Sequence, residues 1–313
     1  MLNKLLILAA EAAKYTSLIK TADLQELEVR TAGDAASAKN LVTGCNIILG
    51  DPPLVGEVLA LADQLEWVQS SWAGVDHLCQ PGLRQDYVLT GVKGIFGPLI
   101  SEYVMTYLFA FERRLFSMRS NQLERRWQPY TYRSSKKIRL GIIGLGSIGR
   151  ALARTARQFG LQVTGLNRTG KICDEVDKVY TENDLAGFLE TLDYVVLTLP
   201  ATPRTRHFIN ADVLKLMKPS AVLINVGRGN SINETDLVAA INEGVIGGAV
   251  LDVFENEPLA RESPLWHLPN VFITPHTAAT SFPDEVSSIF VGNYQRFLRR
   301  EPLLHVVDFE LGY

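Results

Sequence analysis

The segment Gly144-Leu145-Gly146-Ser147-Ile148-Gly149 limits what this chain can fold into more than any other. It follows the apolar run Ile138 to Ile143 and precedes Arg150-Ala151-Leu152-Ala153-Arg154, which has helical character. Strand, tight glycine turn and helix, in that order, make the cradle a dinucleotide pyrophosphate requires. The glycines let backbone approach phosphate and let helix pack on strand, and the helix N-terminus offers free N–H groups to the negative charge. The pattern alone is weak, because glycine-rich turns also join ordinary buried elements. Its place between a buried strand and a helix is what points to nucleotide binding. Gly144, Gly146, Ser147, Ile148 and Gly149 are the candidate pyrophosphate contacts.

The second strand, Leu161 to Leu166, shows which nucleotide to expect. An NAD enzyme usually carries Asp or Glu at its tip, for the ribose hydroxyls. Here the tip reads Asn167-Arg168-Thr169, with Lys171 close behind. No carboxylate stands there to repel a 2′-phosphate, and a guanidinium and a hydroxyl can bind one. The expected cofactor is NADP(H), with NAD(H) as a weaker alternative. The bland reading of Arg168 is a solvated turn residue.

A length of 313 residues suits two domains. The net charge of −3 offers no bulk electrostatic case for nucleic acid. The three cysteines (Cys45, Cys79, Cys173) form no CxxC pair, which suggests a reducing, cytoplasmic compartment and neither a disulfide framework nor a metal site. No run approaches the roughly 20 apolar residues of a membrane helix. Met1 to Ala13 superficially resembles a signal peptide, but its apolar run is short and is followed by Glu11 and Lys14. It reads better as a first buried strand.

Before residue 100, short apolar runs alternate with helix-like stretches. Strands are expected at Lys4–Ala9, Asn46–Leu49, Trp67–Ser70 and Val88–Thr90, and a helix at Leu54–Leu65 behind Asp51-Pro52-Pro53. Ser101–Met118 reads as one long helix that can carry the chain between domains. A second run of strands follows: Ile138–Ile143, Leu161–Leu166, Tyr194–Leu199, Ala221–Asn225, Ala249–Val253 and Val271–Thr274. A last helix is expected at Pro283–Arg299. Alternating βα units imply parallel sheets covered on both faces, so the fold class is α/β with two doubly wound sheets. The basic segment from Arg125-Arg126 to Lys136-Lys137 reads as a solvated connection or an arm that contacts a second subunit.

Three polar residues stand at the ends of expected strands, where open α/β sheets bind ligands. Arg228, between Gly227 and Gly229, can reach a substrate carboxylate with a bidentate fork. Glu257 lies in Leu251-Asp252-Val253-Phe254-Glu255-Asn256-Glu257-Pro258. His276 follows Ile273-Thr274-Pro275. A histidine beside a carboxylate has a raised pKa and a fixed tautomer, which suits proton transfer to a carbonyl oxygen. Singly, each residue has an ordinary structural reading.

Together they resemble a known family, the D-isomer-specific 2-hydroxyacid dehydrogenases. The resemblance is specific over about residues 139 to 281. It rests on the glycine turn, on Leu199-Pro200-Ala201-Thr202 with Thr205, on Asn225-Val226-Gly227-Arg228-Gly229, on Leu251 to Pro258, and on Ser263-Pro264-Leu265-Trp266 leading to Thr274-Pro275-His276. It is weaker before residue 139, where Ser71-Trp72-Ala73-Gly74-Val75-Asp76 looks like the family's substrate-carboxylate loop. The chain's length and its ending, Val307 to Tyr313, look like the glyoxylate/hydroxypyruvate reductase branch.

The resemblance implies a flavodoxin-like substrate domain, discontinuous over 1–100 and 282–313, and a Rossmann dinucleotide-binding domain over 101–281, with a cleft between them. It implies reduction of a small 2-ketoacid, glyoxylate or hydroxypyruvate, to the D-2-hydroxyacid by a homodimer without nucleic-acid or membrane partners. Arg228 would hold the substrate carboxylate, His276 would give the proton, and Glu257 would keep His276 protonated. Backbone N–H groups of Gly74 and Val75 would take the other carboxylate oxygens, with Trp72 and Ala73 shaping the pocket. Leu199, Pro200, Thr205, Val226 and Gly227 would line the cofactor site beside Asn167, Arg168 and Thr169, and Asp252 would help anchor the nicotinamide carboxamide. Two departures stand out. Asn167 replaces the usual acidic residue, and Ser134-Ser135-Lys136-Lys137 replaces a common Leu-x-Gly-Lys turn. Competing readings are NAD-linked oxidation of D-3-phosphoglycerate or formate, and a nucleotide-sensing corepressor. Against oxidation stand Asn167-Arg168 and the carboxylate, not an amide, at 257. Turnover separates the enzyme from the corepressor.

Overall fold

The computed structural model describes residues 2–312. Met1, which opens the leader-like stretch, and Tyr313, which closes the C-terminal motif, lie outside the described residues. The chain divides into two compact units, one made of residues up to Ile95 together with those from Ser281 on, the other of Phe96–Thr280.

The first unit begins β1 (Asn3–Leu8), α1 (Ala12–Thr21), β2 (Leu27–Ala32), α2 (Ala35–Ala38), β3 (Ile47–Gly50), α3 (Pro52–Val58), β4 (Trp67–Ser70), β5 (Val88–Thr90). All the strand pairs are parallel, in the order β2-β1-β3-β4-β5, which is the flavodoxin-like winding. The central strands are unbroken apolar runs because helices cover both faces. Leu5–Leu8 and Ile47–Leu49 are fully buried, and each such side chain contributes about 1.5–3 kcal/mol of transfer free energy. The helix expected at 54–65 starts at Pro52, where a missing N–H costs nothing, and tightens into a 3₁₀ turn at Leu59–Leu61.

The second unit starts with α4 (Phe96–Glu112) and α5 (Leu115–Leu123). It continues β6 (Arg139–Ile143), α6 (Ser147–Gln158), β7 (Gln162–Leu166), β8 (Lys178–Tyr180), α7 (Leu185–Leu189), β9 (Tyr194–Leu197), α8 (Ala211–Leu214), β10 (Val222–Asn225), α9 (Glu234–Asn242), β11 (Gly248–Leu251) and β12 (Val271–Ile273). Its seven strands run parallel in the order β12-β11-β10-β9-β6-β7-β8. The winding reverses between β6 and β9. A doubly wound sheet of this order binds its ligand beyond the carboxyl ends of the strands at that reversal.

The chain then returns to the first unit with α10 (Pro283–Leu298), which packs on α1. Phe290 on α10 stacks on Trp67 of β4 at 5.0 Å, and the buried Asn293 amide donates to Gln69 Oε1 and Leu304 O.

One expected element is wrong. Ser101–Met118 is not a single helix. It breaks at Arg113-Arg114, where Arg114 turns left-handed at φ 49° and opens α5. The apolar face of α4 is buried, whereas α5 buries no residue.

Candidate active site

The glycine turn has the geometry its sequence required. Gly144 takes φ 105°, a left-handed conformation unfavourable to residues with a Cβ. A Cβ on Gly149 would come within 2.0 Å of the Gly144 carbonyl oxygen, so only glycine lets α6 begin this close to β6. A Cβ on Gly146 would meet nothing within 4 Å. That open space lies directly before Ser147 and Ile148, where the N–H groups of α6 start. The site therefore fits a dinucleotide pyrophosphate. Asn167, Arg168 and Thr169 follow β7, and the last two are exposed. Leu199, Pro200 and Thr205 follow β9. The Thr205 hydroxyl donates to Pro200 O at 2.7 Å and accepts from Thr202 N at 2.9 Å, which closes that loop on itself. Val226 and Gly227 follow β10, with the Gly227 N–H on Asn225 Oδ1 at 3.1 Å. All these loops leave the carboxyl edge of one sheet.

The same edge carries the candidate catalytic set. Arg228 sits past β10; its Nη1 donates to Gly227 O at 2.8 Å, and its carbonyl accepts from Asn225 Nδ2 and Ser231 Oγ. A Cβ on Gly229 would fall 1.8 Å from the Phe254 carbonyl carbon. Glycine there lets the Arg228 loop lie against the loop carrying Glu257. One Glu257 oxygen accepts the Phe254 N–H at 3.0 Å, and the other meets His276 Nδ1 at 2.8 Å. Nδ1 is thereby committed to the carboxylate, which leaves Nε2 as the ring nitrogen available for proton exchange.

The electrostatics favour a charged pair. The hydrogen bond that His276 makes to Glu257 raises its pKa above the ordinary imidazole value, against partial burial and the nearby Arg228 charge, which lower it. Burial pushes Glu257 up, but the bonds from His276 and from the Phe254 N–H outweigh it, and the carboxyl ends below its ordinary value. If His276 gives the proton in a reduction, it must be protonated at the start, and the rate then falls as pH rises through the raised pKa. Glu257→Gln removes the carboxylate that stabilises imidazolium, and the fall then comes at lower pH. The kcat profile for reduction is expected to shift its upper limb downward; an unmoved limb argues against the pair.

His276 itself has φ 54°, a left-handed conformation that costs a non-glycine residue on the order of 1–3 kcal/mol. Asp252, 2% exposed, holds it there. The His276 N–H donates to Asp252 O at 2.8 Å. The carboxylate accepts from Thr277 N (2.8 Å), Ala278 N (2.9 Å) and Thr274 Oγ1 (2.6 Å). Bonds to a charged group contribute about 1.5–3 kcal/mol each, so the brace outweighs the strain. The Thr274 hydroxyl also pairs with Tyr103 Oη of α4 at 2.7 Å.

Sequence reasoning missed this bracing. From the sequence, Asp252 reads only as a cofactor contact. Thr274 carried a signal, a hydroxyl two residues before the histidine. Tyr103 carried none, since its partner lies 171 residues away. A second unforeseen brace joins Glu255 Oε1 to His207 Nε2 at 3.1 Å and to the Glu234 N–H at 3.3 Å, tying the Glu257 loop to the start of α9.

Trp72, Ala73, Gly74 and Val75 belong to the first unit and follow β4. The Ser70 hydroxyl donates to Trp72 O and accepts from Trp72 N, while the Ser71 hydroxyl donates to the buried Asp51 carboxylate. Val75 is buried and anchors the far end of the loop.

The chain is similar to known proteins in both sequence and fold. The family model described as D-isomer specific 2-hydroxyacid dehydrogenase, NAD binding domain, matches residues 105–278. The glyoxylate/hydroxypyruvate reductase A of Photorhabdus laumondii is 35% identical over 217 residues, covering 69% of each chain. A D-isomer specific 2-hydroxyacid dehydrogenase family protein from Aeromonas salmonicida superposes with a TM-score of 0.94 at 44% identity, over 99% of this chain and 100% of that one. An NADPH-dependent glyoxylate/hydroxypyruvate reductase from Sinorhizobium meliloti, solved with NADP and sulfate, gives a TM-score of 0.89 at 30% identity, over 99% and 100%.

Proposed function

We propose that this chain, which belongs to the D-isomer specific 2-hydroxyacid dehydrogenase family, is an NADPH-dependent reductase of small 2-ketoacids. The observation that carries the reading is His276 Nδ1 held 2.8 Å from a Glu257 oxygen, with Arg228 nearby, on the sheet edge that also forms the glycine cradle. Names of its relatives support glyoxylate or hydroxypyruvate as the substrate. The NADP-bound relative supports the cofactor, as do Arg168 and Thr169 at the tip of β7, with NAD(H) the second choice.

The reduced nicotinamide supplies the hydride when bound. The chain positions the reactants and moves the proton. The N–H groups of Gly146, Ser147 and Ile148 hold the pyrophosphate, and Gly144 and Gly149 shape the turn. Leu199, Pro200, Thr205, Val226 and Gly227 line the remaining cofactor surface. The fourth lone-pair position of the Asp252 carboxylate suits the nicotinamide carboxamide. Arg228 grips the substrate carboxylate and turns its carbonyl toward His276. His276 Nε2 gives its proton to the forming alkoxide, and Glu257 stabilises the imidazolium beforehand. The Trp72–Val75 loop of the first unit would offer its Gly74 and Val75 N–H groups to a substrate carboxylate.

The reading is tested by assaying glyoxylate, hydroxypyruvate and pyruvate with NADPH and NADH in parallel. Turnover of the first two, faster with NADPH, is the expected result; no consumption of either cofactor with any of the three refutes it.

We further assign a homodimer and a cytoplasmic location. Helix α5 and the arm behind it expose Leu115, Met118, Leu123, Tyr132 and Trp127, the last 96% exposed. Single exposed apolar residues are ordinary, but a cluster marks an interaction surface. Arg113 and Arg114 stack over Tyr132 and Tyr130 and shape the arm. Sedimentation at micromolar concentration is expected to show a dimer that Leu123→Glu with Trp127→Glu dissociates; a monomeric wild type contradicts the assignment. The free cysteines support a reducing compartment, and among the described residues no helix is long and apolar enough to cross a membrane.

A further inference from the structure

Asn167 stands where an acidic residue would select NADH, and its environment shows that it does more than leave the carboxylate out. Its backbone N–H donates to Tyr180 O at 3.1 Å, which fixes the start of the loop to the β8 edge. Its side chain turns into the loop. The Nδ2 group donates to Lys171 O at 2.9 Å, and Oδ1 accepts from Thr169 N at 3.1 Å with the Thr169 hydroxyl at 3.5 Å. Lys171 N in turn donates to Thr169 Oγ1 at 3.4 Å. Gly170 makes the turn with φ 67°. The donor end and the acceptor end of one amide thus close a five-residue loop in which Arg168, Thr169 and Lys171 are exposed.

We propose that Asn167 is a positioning residue for cofactor choice: its amide builds the loop that presents Arg168, Thr169 and Lys171 to the 2′-phosphate of NADPH. The proposal rests on the NADPH reading above and extends it to a residue that does not touch the phosphate. Exposed loops bind anions weakly when binding must first order them, and a pre-formed loop avoids that cost. Only an amide satisfies both bonds. Aspartate has the same shape but no N–H, so one oxygen would face Lys171 O, acceptor against acceptor, beside a phosphate it also repels. Alanine removes both bonds without adding charge.

The consequence runs against the simple placeholder view. If Asn167 merely lacked a charge, Asn167→Asp would convert the preference to NADH and Asn167→Ala would be silent. The brace requires otherwise. The experiment measures Kd by fluorescence titration for NADPH and NADH, and by calorimetry for adenosine 2′,5′-bisphosphate and 5′-AMP, on wild type, Asn167→Ala and Asn167→Asp. Both variants are expected to lose about 5–20-fold for the two ligands with a 2′-phosphate, the scale of one or two hydrogen bonds. In Asn167→Ala the two ligands without it stay within about twofold, and Asn167→Asp gains no more than about twofold for NADH. Retained NADPH affinity in Asn167→Ala, a uniform loss for all four ligands, or a switch to NADH in Asn167→Asp each overturns the brace. A wild type that binds NADPH no tighter than NADH overturns the cofactor reading itself, and a wild type that prefers NADPH with an insensitive Asn167→Ala overturns the brace alone.

Discussion

Replacing His276 with alanine is expected to cut kcat for ketoacid reduction by about 10²–10⁴-fold, the contribution of a positioned acid, while NADPH affinity stays within about twofold. The second half of that expectation comes from how the histidine is held. Its ring is fixed by Glu257 and its backbone by Asp252, and neither bond involves the glycine turn at Gly144–Gly149. Alanine at φ 54° carries the backbone strain without the ring, so some of its loss could come from a collapsed loop. His276→Asn separates the two causes. Asparagine tolerates the left-handed region better than alanine, so the loop bonds to Asp252 survive while the proton donor is gone. Stopped-flow measurement of NADPH oxidation should find both variants slow by similar factors. Turnover near wild type in the asparagine variant ends His276's role as the acid.

The cofactor half of this site was legible in the sequence because its signals are local. Gly144, Gly146 and Gly149 act within one turn, and the backbone geometry they impose needs no distant partner. The central strands were legible for a related reason: a strand buried on both faces must be apolar throughout, as in Leu5–Leu8 or Ile142-Ile143. Edge strands follow no such rule. Leu27–Ala32 alternates apolar with charged residues and stays half exposed, and Lys178–Tyr180 is three residues long. Neither was expected, and both are edges. The break in the helix expected over 101–118 was hidden because Leu115, Phe116 and Met118 continue an apolar pattern. In the fold Leu115 and Met118 are exposed on α5, and Phe116 stacks on Phe272 of β12 at 4.2 Å while staying partly exposed.

The family resemblance singles out Arg228, Glu257 and His276 as candidates, but spacing alone does not say that Glu257 and His276 touch. That contact depends on Gly229 letting one loop lie against another, and on Asp252 holding a histidine in a conformation its own backbone disfavours. Such support is long-range and leaves no periodic trace. The same holds for Asn167, whose residue type reads as the absence of an acid until the bonds to Thr169 and Lys171 are in view.

Arg228→Lys is the second large effect, expected to raise KM for glyoxylate and to lower kcat by about 10²-fold. Lysine keeps the positive charge but not the planar fork. The Arg228 guanidinium is already oriented by its bond to Gly227 O, at 2.8 Å, so the fork meets a carboxylate in a defined plane. A 2-ketoacid carries that carboxylate next to the reacting carbonyl, so any error in gripping one displaces the other. Misplacement by about 1 Å can cost about 10²-fold in rate, which is why kcat falls along with affinity. The pH profile separates orientation from charge. Arg228 lowers the His276 pKa through its charge, and lysine preserves that charge, so the upper limb of the profile should stay near its wild-type position in Arg228→Lys. In Arg228→Gln, which removes the charge, the limb should move to higher pH. The same logic sets substrate scope. Acetaldehyde has the carbonyl of glyoxylate without the carboxylate, and wild type should reduce it poorly. If acetaldehyde and glyoxylate are turned over with similar kcat/KM, Arg228 is not the carboxylate anchor, and the assignment of 2-ketoacids as substrates falls with it.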